Sequence, residues 1–203
     1  MTSATCLRLT MLVAVSAIAG CGGSGDEEKV GGPLQAGERS SVGIPAKTGQ
    51  ALTFSLPVIY NVSDSSDVTL DRVELERPDK DVEMVGSLTT GNSRRVNYQD
   101  ADERFPPTSR IYGKPRPLEG TRVPPVESKA GEAGVELIIG VKARKSGRVG
   151  ARGLVLHYRD GDQKWRVRVP NAFVLCAAAK LTADTGCEEP PLPPEGDTKV
   201  GRS

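Results

Sequence analysis

Apolar residues recur at every second position over much of this sequence, a pattern that indicates β-strands. In residues 52–60 the apolar positions are Leu52, Phe54, Leu56, Val58 and Tyr60. Residues 135–141 repeat the alternation, and the folded part has no convincing amphipathic helix. With 23 glycines and 15 prolines available for turns, the sequence predicts an all-β fold: a single antiparallel β-sandwich of about seven strands. An eight-stranded barrel is the alternative.

The clearest predicted element is a β-hairpin that turns at residues 160–161, an Asp-Gly dipeptide typical of two-residue turns. Pairing outward from Arg159 and Asp162 places Leu156 opposite Trp165. In this register the apolar side chains share one face and the basic side chains share the other, which favours the assignment.

A second local prediction concerns residues 68–75. Val68 and Leu70 alternate on one phase, whereas Val73 and Leu75 alternate on the other. A strand that changes phase in this way has gained one residue, so the sequence predicts a β-bulge near residues 71–72.

The N-terminal residues have the features of an export signal. A short apolar run follows Arg8, and it is too short to span a membrane. The run ends in Ile18-Ala19-Gly20-Cys21, which resembles the bacterial lipoprotein box. The resemblance implies cleavage between Gly20 and Cys21, and a diacylglyceryl group on the Cys21 thiol. It also implies a location at the extracytoplasmic face of a bacterial cell membrane. An ordinary signal peptide or an uncleaved anchor is the alternative.

Composition then divides the chain into four parts. Residues 1–20 are the predicted lipoprotein signal peptide, and 21–49 a lipidated cysteine with a flexible, glycine-rich tether. Residues 50–187 are the predicted sandwich domain, and 188–203 a disordered proline-rich tail.

The four cysteines support this division. Cleavage would remove Cys6 and lipidation would modify Cys21, which leaves Cys176 and Cys187. In an exported protein these two are expected to form a disulfide, with two free thiols as the alternative.

Residues 58–70 resemble the start of immunoglobulin-like domains in bacterial envelope proteins. There a strand ends in Asn, turns through Ser and Asp, and returns, as Val-Ile-Tyr-Asn-Val-Ser-Asp-Ser-Ser-Asp-Val-Thr-Leu does here. The resemblance implies a binding or spacer module. The excess of Arg over Lys is typical of a GC-rich genome such as that of an actinobacterium.

Few residues are suited to catalysis or metal binding. The single histidine, His157, is predicted to be a solvated residue opposite Lys164, so a Ser–His–Asp triad is not expected. No metal site or cofactor is predicted, because the aspartates near 64–71 and 160–162 do not match EF-hand spacing. A hydrolase that uses two carboxylates distant in sequence stays open.

Charge is unevenly distributed along a chain whose net charge is +1. Residues 61–103 hold eleven acids and five bases, whereas residues 142–168 hold nine bases and two acids. The basic residues predicted to face away from the core are Lys142, Arg144, Lys164, Arg166 and Arg168. If their strands are neighbours, they form a basic face for lipid headgroups, an anionic envelope polymer or an acidic partner. A solvated charged face is the alternative.

A long proline-rich segment, residues 104–125, is the second predicted contact surface. Long loops of this kind are often functional. Its candidate contact residues are Arg110, Tyr112, Lys114 and Arg116, because Tyr and Arg are enriched at interfaces.

These features predict a non-catalytic lipoprotein that presents a β-sandwich to an envelope protein partner. Binding of a small ligand or an anionic polymer is the alternative function, and a carboxylate-based hydrolase is less favoured. Nucleic acid is excluded as a partner by the near-neutral charge and the expected location outside the cell.

Overall fold

A computed structural model describes residues 28–91, 102–126, 134–182 and 186–193 of the chain. These residues form β-strands and one short 3-10 turn at Arg110–Tyr112. The strands are β1 (Lys29–Val30), β2 (Leu34–Ala36), β3 (Ser40–Lys47), β4 (Leu52–Asn61), β5 (Val68–Glu76), β6 (Val82–Gly91), β7 (Arg116–Pro117), β8 (Arg122–Val123), β9 (Val135–Ala143), β10 (Gly147–Ala151), β11 (Gly153–Asp160), β12 (Gln163–Val169) and β13 (Asn171–Ala178). The prediction of an all-β fold is confirmed, but the strands are more numerous than the seven expected.

The strands form three sheets. Sheet A has the order β1-β12-β11-β5-β8, sheet B the order β2-β4-β9-β6-β7, and the smaller sheet C the order β10-β13-β3. Most neighbours are antiparallel, whereas β1 pairs with β12 and β3 pairs with β13 in parallel. The architecture is an antiparallel-rich β-sandwich with two parallel pairs at sheet edges.

One hydrophobic core joins the three sheets. Sheet A contributes Leu154, Leu156 and Tyr158, sheet B contributes Leu137, Ile139 and Val141, and sheet C contributes Phe173 and Leu175. The Phe54 ring of β4 lies 5.1 Å from the Phe173 ring of β13, centroid to centroid. Alternate residues of each strand therefore supply the core, as the period of two predicts.

A long bent hairpin connects sheets A and C. β10 and β11 are separated only by Arg152, and β12 and β13 only by Pro170. β11 pairs with β12 in sheet A, while β10 pairs with β13 in sheet C. Both arms of this hairpin therefore pass between sheet C and sheet A side by side, one at Arg152 and the other at Pro170. Strands that pass from one sheet to the other in this way form a corner of the sandwich.

The register predicted for this hairpin was wrong by two residues. Leu156 pairs with Val167, and Trp165 pairs with Tyr158. Asp160 pairs with Gln163, so the loop is Gly161-Asp162, and Gly161 has a φ of +57° at the first loop position. Glycine is favoured there in a type II′ turn, whereas the prediction placed it second. Because side chains alternate with a period of two, a register shift of two residues leaves each side chain on the face that was predicted for it.

The predicted β-bulge is confirmed. His157 pairs with Arg72, the next residue Tyr158 pairs with Leu70, and Asp71 is the extra residue between them. Both Leu70 and Val73 are consequently buried in the core, although they stand on opposite phases of the strand.

The flexible tether predicted for residues 21–49 is wrong for 29–47, which form β1, β2 and β3. The segment pairs in turn with β12, β4 and β13. An edge strand gains its hydrogen bonds from its neighbour and needs few apolar side chains, which here are Leu34, Ile44 and Ala46. The sandwich therefore includes these N-terminal strands, and residues 21–27 lie outside the described part.

The predicted disulfide between Cys176 and Cys187 is present, with a Cα–Cα distance of 5.5 Å. It ties β13 to the chain that follows. Arg148 donates to the Glu188 carbonyl at 3.0 Å, and Arg39 donates to the Pro193 carbonyl at 3.3 Å. The disorder predicted for residues 188–203 is therefore wrong for 188–193, and residues 194–203 are not described.

The chain enters the sandwich at the end that carries the Gly161-Asp162 turn. Val68 pairs with both Asp160 and Val123, and Leu34 pairs with Asn61. The turn, the loop 61–67 and the segment 123–126 therefore share one end with Glu28, and we name it the turn end. At the opposite end Thr48 Oγ1 lies 3.0 Å from Ser146 Oγ.

Candidate functional site

Two of the predicted basic contact residues belong to sheet B or lie next to it: Lys142 is on β9, and Arg144 is the first residue after β9. Lys142 Nζ lies 3.1 Å from Glu83 Oε1, and Arg144 Nε donates to Glu83 Oε2 at 2.9 Å. The hydrogen bonds from Arg144 and Lys142 hold the pKa of Glu83 below its usual range. One carboxylate therefore binds both cations and offsets half of their combined charge.

The other three, Lys164, Arg166 and Arg168, lie on β12 of sheet A. Arg168 Nε donates to Glu76 Oε2 at 2.6 Å, and each of these two side chains is 20% exposed. Since β9 and β12 belong to different sheets, the five basic residues do not form one continuous sheet face.

The outer face of sheet A carries ion pairs between neighbouring strands and within one strand. Arg159 of β11 donates to Asp71 of β5 at 2.9 Å, and within β5 Arg72 donates to Glu74 at 2.8 Å. The acidic residues of β5 thus lie beside basic residues of β11 and β12. In the described part of the chain, four carboxylates of residues 61–103 bind five basic side chains of residues 142–168, which offsets part of the charge asymmetry.

The predicted loop contacts separate into exposed and buried residues. Arg110, Lys114 and Arg116 are exposed, but Tyr112 is fully buried. Its hydroxyl donates to the Thr53 carbonyl of β4 at 3.3 Å. Tyr112 is therefore a packing residue, and the prediction that it contacts a partner was wrong.

Tyr112 is buried because residues 102–118, here named the covering loop, lie across the outer face of sheet B. Asp102 and Thr53 exchange two backbone hydrogen bonds of 2.8 and 2.9 Å. The Phe105 ring packs so closely on Gly140 that no β-carbon would fit there. As a result β9 is buried on both faces, and even Ile138, which points away from the core, is inaccessible.

A buried carboxyl lies on this covered face. Glu136 of β9 is 3% exposed, and burial raises its pKa to about 7, an effect that the nearby Ser55 hydroxyl opposes only in part. Within the described residues, neither Glu136 Oε2 nor Ser55 Oγ has a hydrogen-bond partner of good geometry. Sequence reasoning placed Glu136 on the polar face of its strand and gave no sign of what covers that face.

His157 was predicted to be solvated opposite Lys164, and this was wrong. It pairs with Arg166 across β12, and its side chain is only 5% exposed. Nδ1 lies 2.5 Å from Glu28 Oε1, whereas Nε2 lies 3.6 Å from Glu74 Oε2, too far for a hydrogen bond. The N-terminal segment thus meets the imidazole through the Glu28 carboxylate.

Further contacts hold the N-terminal segment to sheet A. Lys29 Nζ donates to Gln163 at 2.6 Å and lies 5.2 Å from the Trp165 ring centroid. The Tyr158 hydroxyl donates to the Gly31 carbonyl at 2.5 Å. Gly32, with a φ of +83°, lies against Tyr158 and Trp165 where a side chain would clash. The tight approach explains Gly32, and a φ of +93° favours glycine at Gly31, whereas composition alone assigns both to a tether.

Two grooves lie near sheet C. The larger, about 830 Å³, runs along the free edge of β3 and is closed by Leu52, Glu103, Leu181 and Glu189. The smaller, about 380 Å³, lies where residues 190–193 cross β10 and β13. Both follow the seam between the C-terminal segment and the sheets.

No protein-family model matches the chain, and no curated protein matches it. Among the residues that the structure describes, no helix is long and apolar enough to cross a membrane. The described ranges also contain no group of three or more His, Cys, Asp or Glu residues placed to hold a metal ion.

The residues of the predicted lipoprotein box, Gly20 and Cys21, lie outside the described residues. What the structure adds is the position of Glu28, seven residues after Cys21, at the turn end of the sandwich. Sequence reasoning missed this site because His157, which contacts Glu28, and Tyr158, which contacts Gly31, are far from the N-terminal segment in the chain.

Proposed function

We propose that this chain is a bacterial lipoprotein, anchored by a lipid on Cys21, whose β-sandwich serves without catalysis as a contact module for another envelope component. The single observation that carries the proposal is the sequence Ile18-Ala19-Gly20-Cys21 after a short apolar run. Two acyl chains on one residue anchor a protein stably, whereas a single chain does not.

The contacts of the reactive side chains support a non-catalytic role. His157, the one histidine of the sequence, is enclosed beside Glu28. Cys176 and Cys187 are joined to each other. The groups best suited to act as base or nucleophile therefore have structural partners.

Binding of a small ligand is the second candidate function, and the groove of about 830 Å³ beside β3 favours it. Its charged lining residues are balanced, with Lys47 and Lys180 against Glu103 and Glu189. An anionic polymer is less favoured, because Lys142, Arg144 and Arg168 already bind carboxylates.

The anchor is tested by expressing Cys21→Ala in an actinobacterial host and measuring the protein in the membrane fraction. Loss of membrane association is expected, together with loss of the diacylglyceryl mass from the N-terminal peptide. Cys6→Ala is the matched control, since it changes a cysteine of the predicted signal peptide and should leave the anchor intact. A wild-type N-terminal peptide without lipid would contradict the proposal.

The partner is tested by cross-linking in cells, followed by detergent extraction and mass spectrometry. A stoichiometric envelope protein that is captured with the wild type and lost with Cys21→Ala would support a contact module. Absence of any captured protein would favour the ligand-binding alternative.

A further inference from the structure

The described structure begins very close to the proposed anchor. Glu28 is seven residues after Cys21, and a fully extended chain of that length spans at most about 25 Å. The predicted tether of residues 21–49 would have allowed the domain to stand much farther from the bilayer.

The N-terminal segment is also fixed to one end of the domain. Glu28 contacts His157, β1 pairs with β12, and the Gly31 carbonyl accepts from Tyr158. The segment then pairs with β4 through β2. These contacts place the point of attachment at the turn end and leave the opposite end of the sandwich distant from it.

Among the described residues, the turn end carries three exposed apolar side chains. Val30 is 63% exposed, and Val62 and Val126 are each 42% exposed. Val62 N donates to the Pro33 carbonyl at 2.8 Å, and Val126 N donates to the Asn61 carbonyl at 2.9 Å. The three valines therefore surround the place where the N-terminal segment joins the sheets.

The exposed charges at this end do not favour one sign. Among the residues described at this end, the exposed basic residues are Lys29, Arg122, Arg159, Lys164 and Arg166, of which Arg159 is paired with Asp71, and the exposed acidic residues are Asp64, Asp67 and Asp162. Contact with a surface at this end would therefore depend on the apolar side chains more than on net charge.

We propose that the turn end faces the bilayer that holds the Cys21 lipid, with Val30, Val62 and Val126 at the level of the phospholipid headgroups. This inference rests on the proposed lipid anchor. It assigns the membrane-facing surface, and it directs the end that carries residues 48 and 146, with the β3 groove nearby, away from the membrane toward a partner.

The test measures lysine acetylation by mass spectrometry in the lipidated full-length mature protein, in phosphatidylcholine vesicles and in detergent micelles. Lys29 and Lys164 should react several-fold more slowly in vesicles, while Lys145 and Lys180, near the opposite end, should react equally in both. Equal reaction of all four lysines, or protection of Lys145 and Lys180 instead, would overturn the inference. The mass of the N-terminal peptide reports the lipid separately, so failure of the anchor proposal is distinguishable.

The role of the valines is tested in the same assay with the double variant Val62→Asp, Val126→Asp. Its Lys29 and Lys164 should regain the reaction rate found in micelles. Val85→Asp is the matched control, since Val85 is 40% exposed on β6 and should leave protection unchanged. Val30→Asp provides a second variant if the double variant misfolds. Protection that persists in the folded variants would overturn the assignment.

Discussion

The outer faces of sheets A and B are built from similar alternating strands but have different surroundings. On sheet A the outward side chains pair with one another, as Arg159 does with Asp71 and Arg168 does with Glu76. On sheet B the covering loop lies over part of the outer face, and the outward side chains Ile138 and Glu136 are buried. The same alternation thus leads to an ion-paired surface in one sheet and to a second buried layer in the other.

The difference shows that alternation identifies the core face of a strand but not what covers the opposite face. The cover on sheet B comes from Phe105 and Tyr112, which belong to a proline-rich loop distant in sequence from β9. If the two faces differ as described, substitutions on them should have effects of very different size.

The largest effect is expected from Tyr112→Ala in the covering loop. Removal of a fully buried aromatic side chain leaves a cavity and should lower the free energy of unfolding by about 3–4 kcal/mol. Urea denaturation followed by circular dichroism measures the change. Lys114→Ala, at an exposed residue of the same loop, is the control and should have little effect. A similarly small effect of Tyr112→Ala would show that the loop does not cover sheet B.

The next effect concerns the buried carboxyl and depends on pH. Because the pKa of Glu136 is raised to about 7 in the folded protein, the folded state holds a proton that the unfolded state has lost. Stability should fall as pH rises from about 4 to about 7 and stay lowered above it. Glu136→Gln removes this dependence, so its stability relative to wild type should rise by up to about 3 kcal/mol between pH 4 and pH 8.

Thermal or urea unfolding at both pH values measures the difference. Glu83→Gln is the control, because Glu83 lies on the surface with its pKa lowered by Arg144 and Lys142. That variant should lack the rise between pH 4 and pH 8. If Glu136→Gln also lacked it, Glu136 would be ionised in the fold and the covered face would be open to water.

The smallest effect is expected from the ion pairs of sheet A. A double-mutant cycle with Arg168→Met and Glu76→Gln should give a coupling of about 1 kcal/mol, because both side chains are only one-fifth exposed. The more exposed pair of Arg72 and Glu74 should give less. Equal couplings for the two pairs would show that partial burial does not strengthen the contact.

Much of the fold could be predicted because it depends on local patterns. The alternation in β4, β9 and β11, the bulge at Asp71 and the disulfide of Cys176 all appear in short stretches of sequence. The hairpin register was displaced by two residues, since Asp160-Gly161 and Gly161-Asp162 are both plausible loops and share the same alternation of faces.

The surroundings of the candidate sites could not be predicted because they depend on pairs distant in sequence. Glu28 meets His157, and Thr53 meets Tyr112, with no local signal at either partner. The N-terminal segment was assigned to a tether because its composition is that of a flexible chain. Its strands exist because sheet edges, formed by residues far along the chain, supply their hydrogen bonds.

The parallel pairing of β3 with β13 has a consequence for how the chain acquires its structure. Ser40 and Asn171 are hydrogen-bonded although they stand 131 residues apart. A ribosome synthesises the N-terminal part first, so β3 stays without its partner until the C-terminal arm of the hairpin has appeared. The segment next to the proposed anchor is thus among the first residues made and among the last to find its place. A chain stopped before β13 would lack the partner that β3 needs.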